Sequence, residues 1–397
     1  MIDNKKSSPT NPTKEISLQS LRNEIDFIDQ QLIQLFDKRA SLVFKVGEWK
    51  KNNLIDVYDP LREQQIIEKT TKTKRHFLND SEIQSLFIKM IDFFRNIEKA
   101  RSLISESSPN SLLKKKGSFG FFGFGLIGAS IALALKESFP EWNFLIHDPH
   151  LDKIEFEKWN ESKTQSKFQL VSIDNLTNKL SDELNVIFLA APIDKNAEFG
   201  KAVTKKNVLT LNLGSVQEPI DNVIGFHPLA GKELSGYQAA QGDLFYGKTL
   251  CLSPSENVDN LALEASQILA KKLGAEVVIT PWEVHNERLA YSSHLTQLLS
   301  MVYGITLDKN YTDDLYSLIP SSARDFLRLS GSDYKMWEPI IRKNNQFITT
   351  AMTQFEKNFQ YVRKVVEGSS SQQSHLKELF IKAQFIYEKI YKKRKQP

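Results

Sequence analysis

Residues 119–148, FGFFGFGLIGASIALALKESFPEWNFLIHD, contain the pattern that decides the fold. A short apolar strand runs into the motif Gly-Phe-Gly-Leu-Ile-Gly, and an apolar helix over 129–136 follows. Three glycines at this spacing allow a tight turn, close approach of a pyrophosphate to the backbone and close packing of the helix on the strand. The order therefore predicts a dinucleotide-binding unit. The residues predicted to contact the cofactor are Gly123, Phe124, Gly125, Leu126, Ile127 and Gly128.

An acidic residue follows the next predicted strand. Asp148 lies twenty-five residues after Gly123, at the end of the strand over 143–147. A carboxylate there accepts hydrogen bonds from both adenosine ribose hydroxyls and repels a 2′-phosphate, so NAD is predicted rather than NADP. His147 beside it weakens this exclusion slightly. The alternative, a glycine turn in a sheet that binds no cofactor, is disfavoured by the order of strand, motif, helix and acid.

Beyond residue 117 short apolar segments alternate with helical ones, which is typical of a parallel sheet with crossover helices. Ala191 and Pro192, Ser215 and His227 each follow a predicted strand, at the edge where such sheets bind ligands. Ala191 and Pro192 are therefore further predicted cofactor contacts. Spacing alone leaves a catalytic and a structural role for His227 equally open. The predicted strands are 119–122, 144–147, 186–190, 208–213, 223–226, 248–252 and 276–280.

The N-terminal part is predicted to be helical. Over 18–49 apolar residues recur every three or four positions, which predicts one helix about 50 Å long. Two further helices, beginning near Asp59 and Asn79, are too short to cover it, so a partner chain is expected. The segment 105–117 has the composition of a linker. From residue 281 onward the pattern is helical again.

The predicted fold is multidomain, because 397 residues exceed what one hydrophobic core usually organises. An all-α domain comes first, then an α/β Rossmann-type domain, then a second all-α domain. The predicted boundaries are a disordered leader 1–15, a helical domain 16–104, a linker 105–117, an NAD-binding domain 118–280 and a helical substrate and dimerisation domain 281–397.

The composition is that of an ordinary globular protein, with 41% hydrophobic and 25% charged residues. A net charge of +4 with scattered lysines gives little support to nucleic-acid binding. No segment has the apolar length of a membrane helix, and the polar start over 1–14 lacks a secretory signal, so a cytosolic protein is expected. Cys251 is the only cysteine, which excludes an internal disulfide and a cysteine-based metal site.

Charged side chains interrupt the apolar face of the first helix. Arg39 occupies a position where the spacing predicts an apolar residue, and a cation there needs an anion or a partner. Lys50 lies three turns further along nearly the same face, and Arg22, about a quarter-turn away, could serve the pocket of a partner chain. For any single residue a surface ion pair is the simpler explanation. The further charged candidates, on the second helix, are Asp59, Arg62 and Glu63.

Residues 16–103 resemble the all-helical chorismate mutases. The resemblance implies an intertwined dimer in which Arg39, Arg62 and the partner's Arg22 hold the two carboxylates of chorismate. It also implies that Lys50 contacts the ether oxygen and that Glu63 binds the ring hydroxyl. The matching motifs are Leu21-Arg22, Lys38-Arg39, Gly47-Glu48-Trp49-Lys50 and Tyr58-Asp59-Pro60-Leu61-Arg62-Glu63.

Two more positions bear on the mutase resemblance. The rearrangement of chorismate to prephenate is unimolecular, so convergent cations can stabilise the charge that develops on the ether oxygen. Glu98 lies where this family has glutamine or glutamate facing that oxygen. A glutamate donates a hydrogen bond only when protonated, so mutase activity is predicted to decline as pH rises. Phe94 departs from the pattern, since many members carry serine nearby.

Residues 117–370 resemble prephenate and arogenate dehydrogenases. The resemblance implies that neutral His227 accepts the hydroxyl proton of prephenate, with Ser215 orienting that hydrogen bond. It implies that Arg328 clamps a substrate carboxylate, with Trp337 nearby limiting water. The matching motifs are 123–130, Gly214-Ser215-Val216, His227-Pro228-Leu229-Ala230-Gly231, Ser235-Gly236, Leu244-Phe245, His285-Asn286, Ser293-His294-Leu295, Arg324-Asp325-Phe326-Leu327-Arg328 and Met336-Trp337.

Together the two resemblances predict a bifunctional enzyme of tyrosine biosynthesis, and a fusion in this order is a known arrangement of the family. Such an enzyme rearranges chorismate to prephenate, then uses NAD for the oxidative decarboxylation of prephenate to 4-hydroxyphenylpyruvate. The resemblance also implies a homodimer and feedback inhibition by tyrosine.

Three positions leave alternatives open. Gln217 stands where lysine is usual in these dehydrogenases, Asn286 where aspartate is usual, and Gln297 where many members have a second histidine. The main alternative is an arogenate dehydrogenase with an inactive, purely dimerising mutase-like domain. A dehydrogenase of small 3-hydroxy acids is a further alternative, but it leaves the helical domain unexplained.

Overall fold

The computed structural model separates into two units by its internal contacts, Met1–Phe94 and Arg95–Pro397. This division falls inside the third helix, before the predicted linker, and the predicted domain limits stay predictions. The predicted leader and part of the linker lie outside the described residues. The described residues are 17–53, 55, 59–105, 110–113, 116–178, 184–203, 208–232, 234–309, 312, 317–368 and 373–393.

The described part of the first unit is helical, as predicted. Asp59 caps the second helix, because its Oδ1 accepts a hydrogen bond from the backbone N–H of Arg62 at 2.9 Å. Asn79 and Glu82 form a capping box at the start of the third, each side chain accepting from the other's backbone N–H at 2.8–2.9 Å. Both predicted helix starts are confirmed. The helices are α1 Leu18–Asn52, α2 Pro60–Lys72 and α3 Asp80–Ser105, which continues into the second unit.

The apolar face of α1 is left exposed by the part of the chain that the structure describes. Exposed fractions along this face run from 42% at Leu32 to 65% at Leu18. A continuous apolar stripe of this kind marks an interaction surface. The stripe, called the α1 seam below, consists of Leu18, Leu21, Ile25, Ile28, Leu32, Leu35, Leu42, Val46 and Trp49.

The second unit is built on an eight-stranded sheet with the order β3-β2-β1-β4-β5-β6-β7-β8. Neighbouring strands are parallel except β6 and β7, which are antiparallel. The chain order reverses between β1 and β4, so their carboxyl ends lie side by side at the point where such sheets bind ligands. The strands are β1 Ser118–Phe122, β2 Asn143–His147, β3 Phe168–Leu170, β4 Val186–Leu189, β5 Leu209–Asn212, β6 Val223–Pro228, β7 Thr249–Pro254 and β8 Glu276–Ile279.

Helices connect the strands and form the rest of this unit. A π-helical turn, Ala290–His294, joins α9 to α10, and a 3-10 turn, Arg328–Gly331, follows α11. Among the described helices, none is both long and apolar enough to cross a lipid bilayer. The helices are α4 Leu126–Ser138, α5 Lys153–Thr164, α6 Ile173–Asn178, α7 Ile193–Val203, α8 Asn260–Lys272, α9 Trp282–Leu289, α10 Leu295–Lys309, α11 Ser321–Leu327, α12 Tyr334–Lys343, α13 Asn345–Glu367 and α14 Gln373–Lys393.

All seven predicted strands are present, and their ends agree with the prediction to within two residues. Other features of the sheet and its helices differ from the prediction. The sheet is not parallel throughout, since β7 runs against β6. The short β3 was not predicted, and α4 begins at Leu126 rather than at residue 129. His227 lies inside β6, not after it.

Aromatic rings fill the core beneath the glycine motif. Phe119 lies 4.4 Å from Trp142 between ring centroids, and Phe121 lies 5.0 Å from Phe188. All four side chains are fully buried, and burying a side chain of this size stabilises a fold by about 1.5–3 kcal/mol. This packing fixes the carboxyl ends of β1 and β4, from which the ligand-binding turns start.

Candidate active sites

The glycine turn between β1 and α4 has three glycines with three different requirements. Gly123 has φ +90, and a Cβ there would lie 2.5 Å from the backbone N of Ala191. At Gly128 a Cβ would lie 3.0 Å from the Cβ of Ala190, so the helix packs closely on β4. A Cβ at Gly125 would meet no atom within 4 Å. The space above the helix start is therefore open to a ligand.

This turn fits the phosphates of a dinucleotide. Gly125 is the N-cap of α4 and supplies no side chain, so the first backbone N–H groups of the helix lack a side-chain cap. Such groups, with the positive end of the helix dipole, bind phosphate. Because Gly123 touches Ala191, the predicted contacts from both turns lie at one place.

Asp148 is held beside the same turn. Its Oδ2 accepts from the backbone N–H of Phe124 at 2.8 Å, and its Oδ1 accepts from that of His150 at 2.9 Å. Each carboxylate oxygen has a second lone pair for a ribose hydroxyl. His147 is turned away by a hydrogen bond, its Nδ1 donating to the carbonyl oxygen of Val171 at 3.2 Å. The structure thus places the predicted acidic residue beside the glycine turn.

A histidine pair lies at the carboxyl end of β6. His227 Nδ1 is 2.9 Å from His285 Nε2 on α9. Burial, together with the neighbouring His285 and His294, lowers the pKa of His227 to about 3. Burial also lowers the pKa of His285. At neutral pH both rings are therefore uncharged, and His227 can act as a proton acceptor.

Behind this pair the polar groups are amides. His285 Nδ1 is 3.0 Å from Asn286 Oδ1. The Asn286 side chain also pairs with the backbone of Gln217, Nδ2 donating to its carbonyl oxygen at 2.8 Å and Oδ1 accepting from its N–H at 3.0 Å. The side chains of Asn286 and Gln217 are 3% and 2% exposed. This arrangement links α9 to the turn after β5.

Gln217 in turn shapes that turn. Its Nε2 donates to the carbonyl oxygen of Gly214 at 2.5 Å, and its Oε1 accepts from Asn212 Nδ2 at 3.2 Å. A Cβ on Gly225 would lie 2.6 Å from Gln217 Oε1, so the side chain packs directly on β6. Ser215, half-buried in the same turn, is thereby fixed in position.

A third buried histidine lies on the helical side. His294 Nδ1 is 3.0 Å from Asn344 Nδ2, and its ring packs edge-on against Trp337. Burial, together with the neighbouring His285, lowers the pKa of His294 to about 4. The indole N–H of Trp337 is buried, and no acceptor for it is present in the part of the chain that the structure describes. A buried donor of this kind calls for a ligand or a water.

In the first unit Arg39 is half-buried over an aromatic ring. Its guanidinium carbon lies 4.1 Å from the ring centroid of Phe94, a cation–π contact. Burial lowers the pKa of Arg39. Its Nη1 is buried, and no described residue accepts a hydrogen bond from it. A buried cation with an unused donor fits an anionic ligand.

Comparison with known families decides the identity of the chain. Residues 21–99 match the family model of chorismate mutase type II. Residues 153–279 match the nucleotide-binding domain of prephenate dehydrogenase, and residues 281–382 match its dimerisation domain. The two prephenate dehydrogenase matches together span more than half of the chain. The chain belongs to the bifunctional chorismate mutase/prephenate dehydrogenase family. It is an isomerase and an NAD-dependent oxidoreductase of tyrosine biosynthesis.

Several known proteins are similar to this enzyme. The T-protein of Haemophilus influenzae is 23% identical over 337 residues, which cover 81% of this chain and 76% of the T-protein. The prephenate dehydrogenase of Bacillus subtilis is 24% identical over 63% of this chain and 70% of its own length. The solved prephenate dehydrogenase of Aquifex aeolicus shares the fold, with a TM-score of 0.59 and 22% identity over 71% of this chain and 99% of that one.

In the dehydrogenase part the structure brings some predicted residues together and leaves others apart. The glycine motif, Ala191 and Asp148 meet at one turn. His227 instead contacts His285, which the sequence assigned no role. Arg328 lies in the turn after α11 with its side chain exposed, and Gln297 holds that turn by donating to the carbonyl oxygen of Leu329 at 2.8 Å.

In the mutase domain the predicted residues have different surroundings. Arg22 lies seventeen residues before Arg39 on α1, about 25 Å along the helix, so the two cannot share a pocket within one chain. Asp59 caps α2, and this structural role explains the residue without a contact to substrate. Arg62 is exposed, Lys50 and Glu63 are half-buried, and Glu98 is buried.

Sequence reasoning missed the buried amides that support the dehydrogenase site. Asn196 accepts from the backbone N–H of Ala191 at 3.0 Å and donates to Asn212 at 3.2 Å, so the cofactor turn connects to the turn that carries Ser215. Asn344 donates to the carbonyl oxygen of Asn286 at 2.9 Å. The available signal was an amide residue at a helix position where an apolar residue is expected. Such a residue indicates a buried hydrogen bond, but the sequence does not identify the group that it pairs with.

Proposed function

We propose that His227 is the base of the dehydrogenase and that it accepts the proton of the prephenate ring hydroxyl. The observation that carries this role is a neutral imidazole with a pKa of about 3, at the carboxyl end of β6 and with Nδ1 occupied by His285. Its Nε2 is the nitrogen left for substrate. Bound NAD would accept the hydride that leaves the ring carbon carrying this hydroxyl.

Other residues of this part bind and orient the substrate. Ser215, in the turn that Gln217 holds, is suited to orient the hydrogen bond of the hydroxyl. Arg328 supplies a guanidinium for a carboxylate, and the unused indole N–H of Trp337 is available as a further donor. Gly123, Gly125, Ala191, Pro192 and Asp148 hold NAD, with the phosphates at the start of α4.

The test is the variant His227→Asn in the full chain. The dehydrogenase kcat should fall by about a hundredfold or more, because general base catalysis is lost, while mutase turnover stays at the wild-type level. Prephenate and arogenate are supplied in parallel with NAD, so the same assay identifies the preferred substrate. Wild-type dehydrogenase turnover in the variant would refute the role of His227.

For the mutase we propose that Arg39 and Arg62 of one chain and the partner's Arg22 hold the carboxylates of chorismate. The orphaned Nη1 of Arg39 supports an anion at this place, and Phe94 fixes the guanidinium from one side. Lys50 and Glu98 are proposed to face the ether oxygen and Glu63 the ring hydroxyl. The α1 seam supports a homodimer as the form in which this site is complete.

The dimeric mutase site predicts complementation between two inactive variants. In a mixed dimer of Arg22→Ala and Arg39→Ala chains, one site carries both changes and the other carries none. If the chains mix at random, half of the dimers are mixed, and chorismate turnover should recover to about a quarter of the wild-type value. Each variant alone should be nearly inactive. No recovery after unfolding and refolding the mixture would contradict a shared site.

Tyrosine as a feedback inhibitor is part of the same proposal. Tyrosine carries the hydroxyphenyl ring and the carboxylate that the site must accept in its product. Gln297, which stands where many members have histidine, holds the turn with Arg328 through a neutral amide. Dehydrogenase rates measured with increasing tyrosine, in wild type and in Gln297→His, test whether inhibition depends on this position.

A further inference from the structure

We propose that His285, oriented by Asn286, fixes His227 in the tautomer whose Nδ1 carries the proton and whose Nε2 is free to accept one. His285 and Asn286 are then positioning residues for the dehydrogenase. The proposal rests on the proposed role of His227 as the base and adds the reason why that base has the right nitrogen available.

The orientation of the Asn286 amide is fixed by two backbone groups, one of which can only donate a hydrogen bond and the other only accept one. The N–H of Gln217 can only donate, so the atom it contacts at 3.0 Å is the Asn286 oxygen. The carbonyl oxygen of Gln217 can only accept, so the atom it contacts at 2.8 Å is the Asn286 nitrogen. Asn286 Oδ1 is therefore an acceptor toward every neighbour.

The tautomer of His285 follows from this orientation. His285 Nδ1 lies 3.0 Å from Asn286 Oδ1 and must donate to it. A neutral imidazole has one N–H, so His285 Nε2 is left with a lone pair. His285 is 2% exposed, and the lowered pKa keeps it neutral at physiological pH.

The tautomer of His227 is the next step. His227 Nδ1 lies 2.9 Å from His285 Nε2, which has only a lone pair to offer. His227 Nδ1 must then carry the proton and donate it. The second nitrogen, Nε2, keeps its lone pair and is the one able to take the substrate proton.

The charge of the residue at position 286 decides whether His285 and His227 keep these tautomers. The titratable groups facing His227 are His285 on α9, His294 in the π-helical turn and Cys251 on β7, whose pKa burial raises. None of these carries a charge at neutral pH. An amide at 286 orients His285 without favouring its protonated form, whereas a carboxylate would stabilise the imidazolium.

The decisive variant is Asn286→Asp in the full chain. The carboxylate should raise the pKa of His285, and a protonated His285 donates from both nitrogens. His227 Nδ1 must then accept, and its Nε2 takes the proton and can no longer act as a base. We expect the acid limb of dehydrogenase kcat/KM to move upward by about one pH unit or more, with rates recovering above the new pKa. An acid limb identical to wild type would overturn the proposal.

A matched pair of variants keeps the test independent of the carboxylate. His285→Gln places an amide oxygen near the Nε2 position and can still accept from His227, whereas His285→Leu cannot. We expect kcat in the leucine variant to fall by about tenfold or more below that in the glutamine variant, with NAD affinity equal in both. His375→Gln, an exposed histidine on α14, is the control.

The outcomes distinguish this proposal from the role of His227 itself. Equal kcat in the glutamine and leucine variants, or weakened NAD binding in both, would overturn a tautomer role for His285. Wild-type turnover in His227→Asn would instead refute the base assignment. An unchanged mutase rate in all variants verifies that the chain is folded at its other site.

Discussion

At the scale of single residues, the buried histidines should make the second unit sensitive to acid. The pKa values of His227 and His294 are about 3 and about 4, both below the ordinary value of 6.5. Below about pH 6.5 both histidines bind protons in the unfolded chain, whereas in the folded chain they stay neutral until the pH approaches their lowered pKa values. Stability is therefore complete above pH 6.5 and falls as the pH drops toward the folded pKa values.

His294→Asn should reduce this loss. Asparagine can still accept from Asn344 with its Oδ1, but it does not titrate. Between pH 7 and pH 5 the wild type should lose about 2 kcal/mol more of its free energy of unfolding than the variant does. Urea unfolding of the second unit at pH 7, 6 and 5 measures the difference. Equal losses in the two proteins would contradict a neutral, buried His294.

The residues proposed to bind ligands were more predictable than the residues that support them. Gly123 and Asp148 follow strands, and His227 lies near the carboxyl end of β6. The direction of a parallel strand is enough to bring all three to one edge. The hydrogen bond between His227 and His285 joins residues 58 positions apart. No local sequence pattern predicts a contact between residues so far apart in the chain. The amides behind the pair come into contact with it only when α9 packs against the sheet.

At the scale of elements, the glycine turn is the part least tolerant of change. Gly123→Ala forces a Cβ into a positive φ and within 2.5 Å of the Ala191 backbone. The backbone strain alone should cost about 1–3 kcal/mol, and separation of the β1 and β4 turns should weaken NAD binding. Thermal unfolding and NAD titration measure both effects. Gly231→Ala, where a Cβ meets open space, is the control for stability and should leave the melting temperature unchanged.

The elements differ in how far sequence periodicity determines them. The long α1 and the core strands have many apolar positions in phase, so their existence was predicted and is confirmed. The three-residue β3 follows Gln165 and Ser166, which both have a positive φ, and is too short to show any period. The direction of β7 depends on the connection from β6. In its described residues this connection has only the short 3-10 turn Tyr237–Ala239, which cannot return the chain for parallel pairing.

At the scale of the whole molecule, two apolar surfaces call for a second copy of the chain. One is the α1 seam, and the other is on α14, which begins within the dimerisation-domain match 281–382 and exposes Ile386 and Ile390, one helical turn apart, by more than half. A chain with two such surfaces can stay dimeric through one of them when the other is damaged. The mutase and the dehydrogenase should therefore respond differently to a change in α1.

Leu32→Glu tests this separation. A carboxylate in the middle of the α1 seam is buried when two copies pair, and burying an unpaired charge costs several kcal/mol, so the mutase site should not assemble. Chorismate turnover should fall by at least about tenfold. The mass by sedimentation should stay that of a dimer, and prephenate oxidation should stay within about twofold of wild type, because residues 281–382 are untouched. Gln30→Glu, which adds the same charge to α1 outside the seam, should retain both activities. Full mutase activity in Leu32→Glu would show that this face of α1 is not the surface that completes the site.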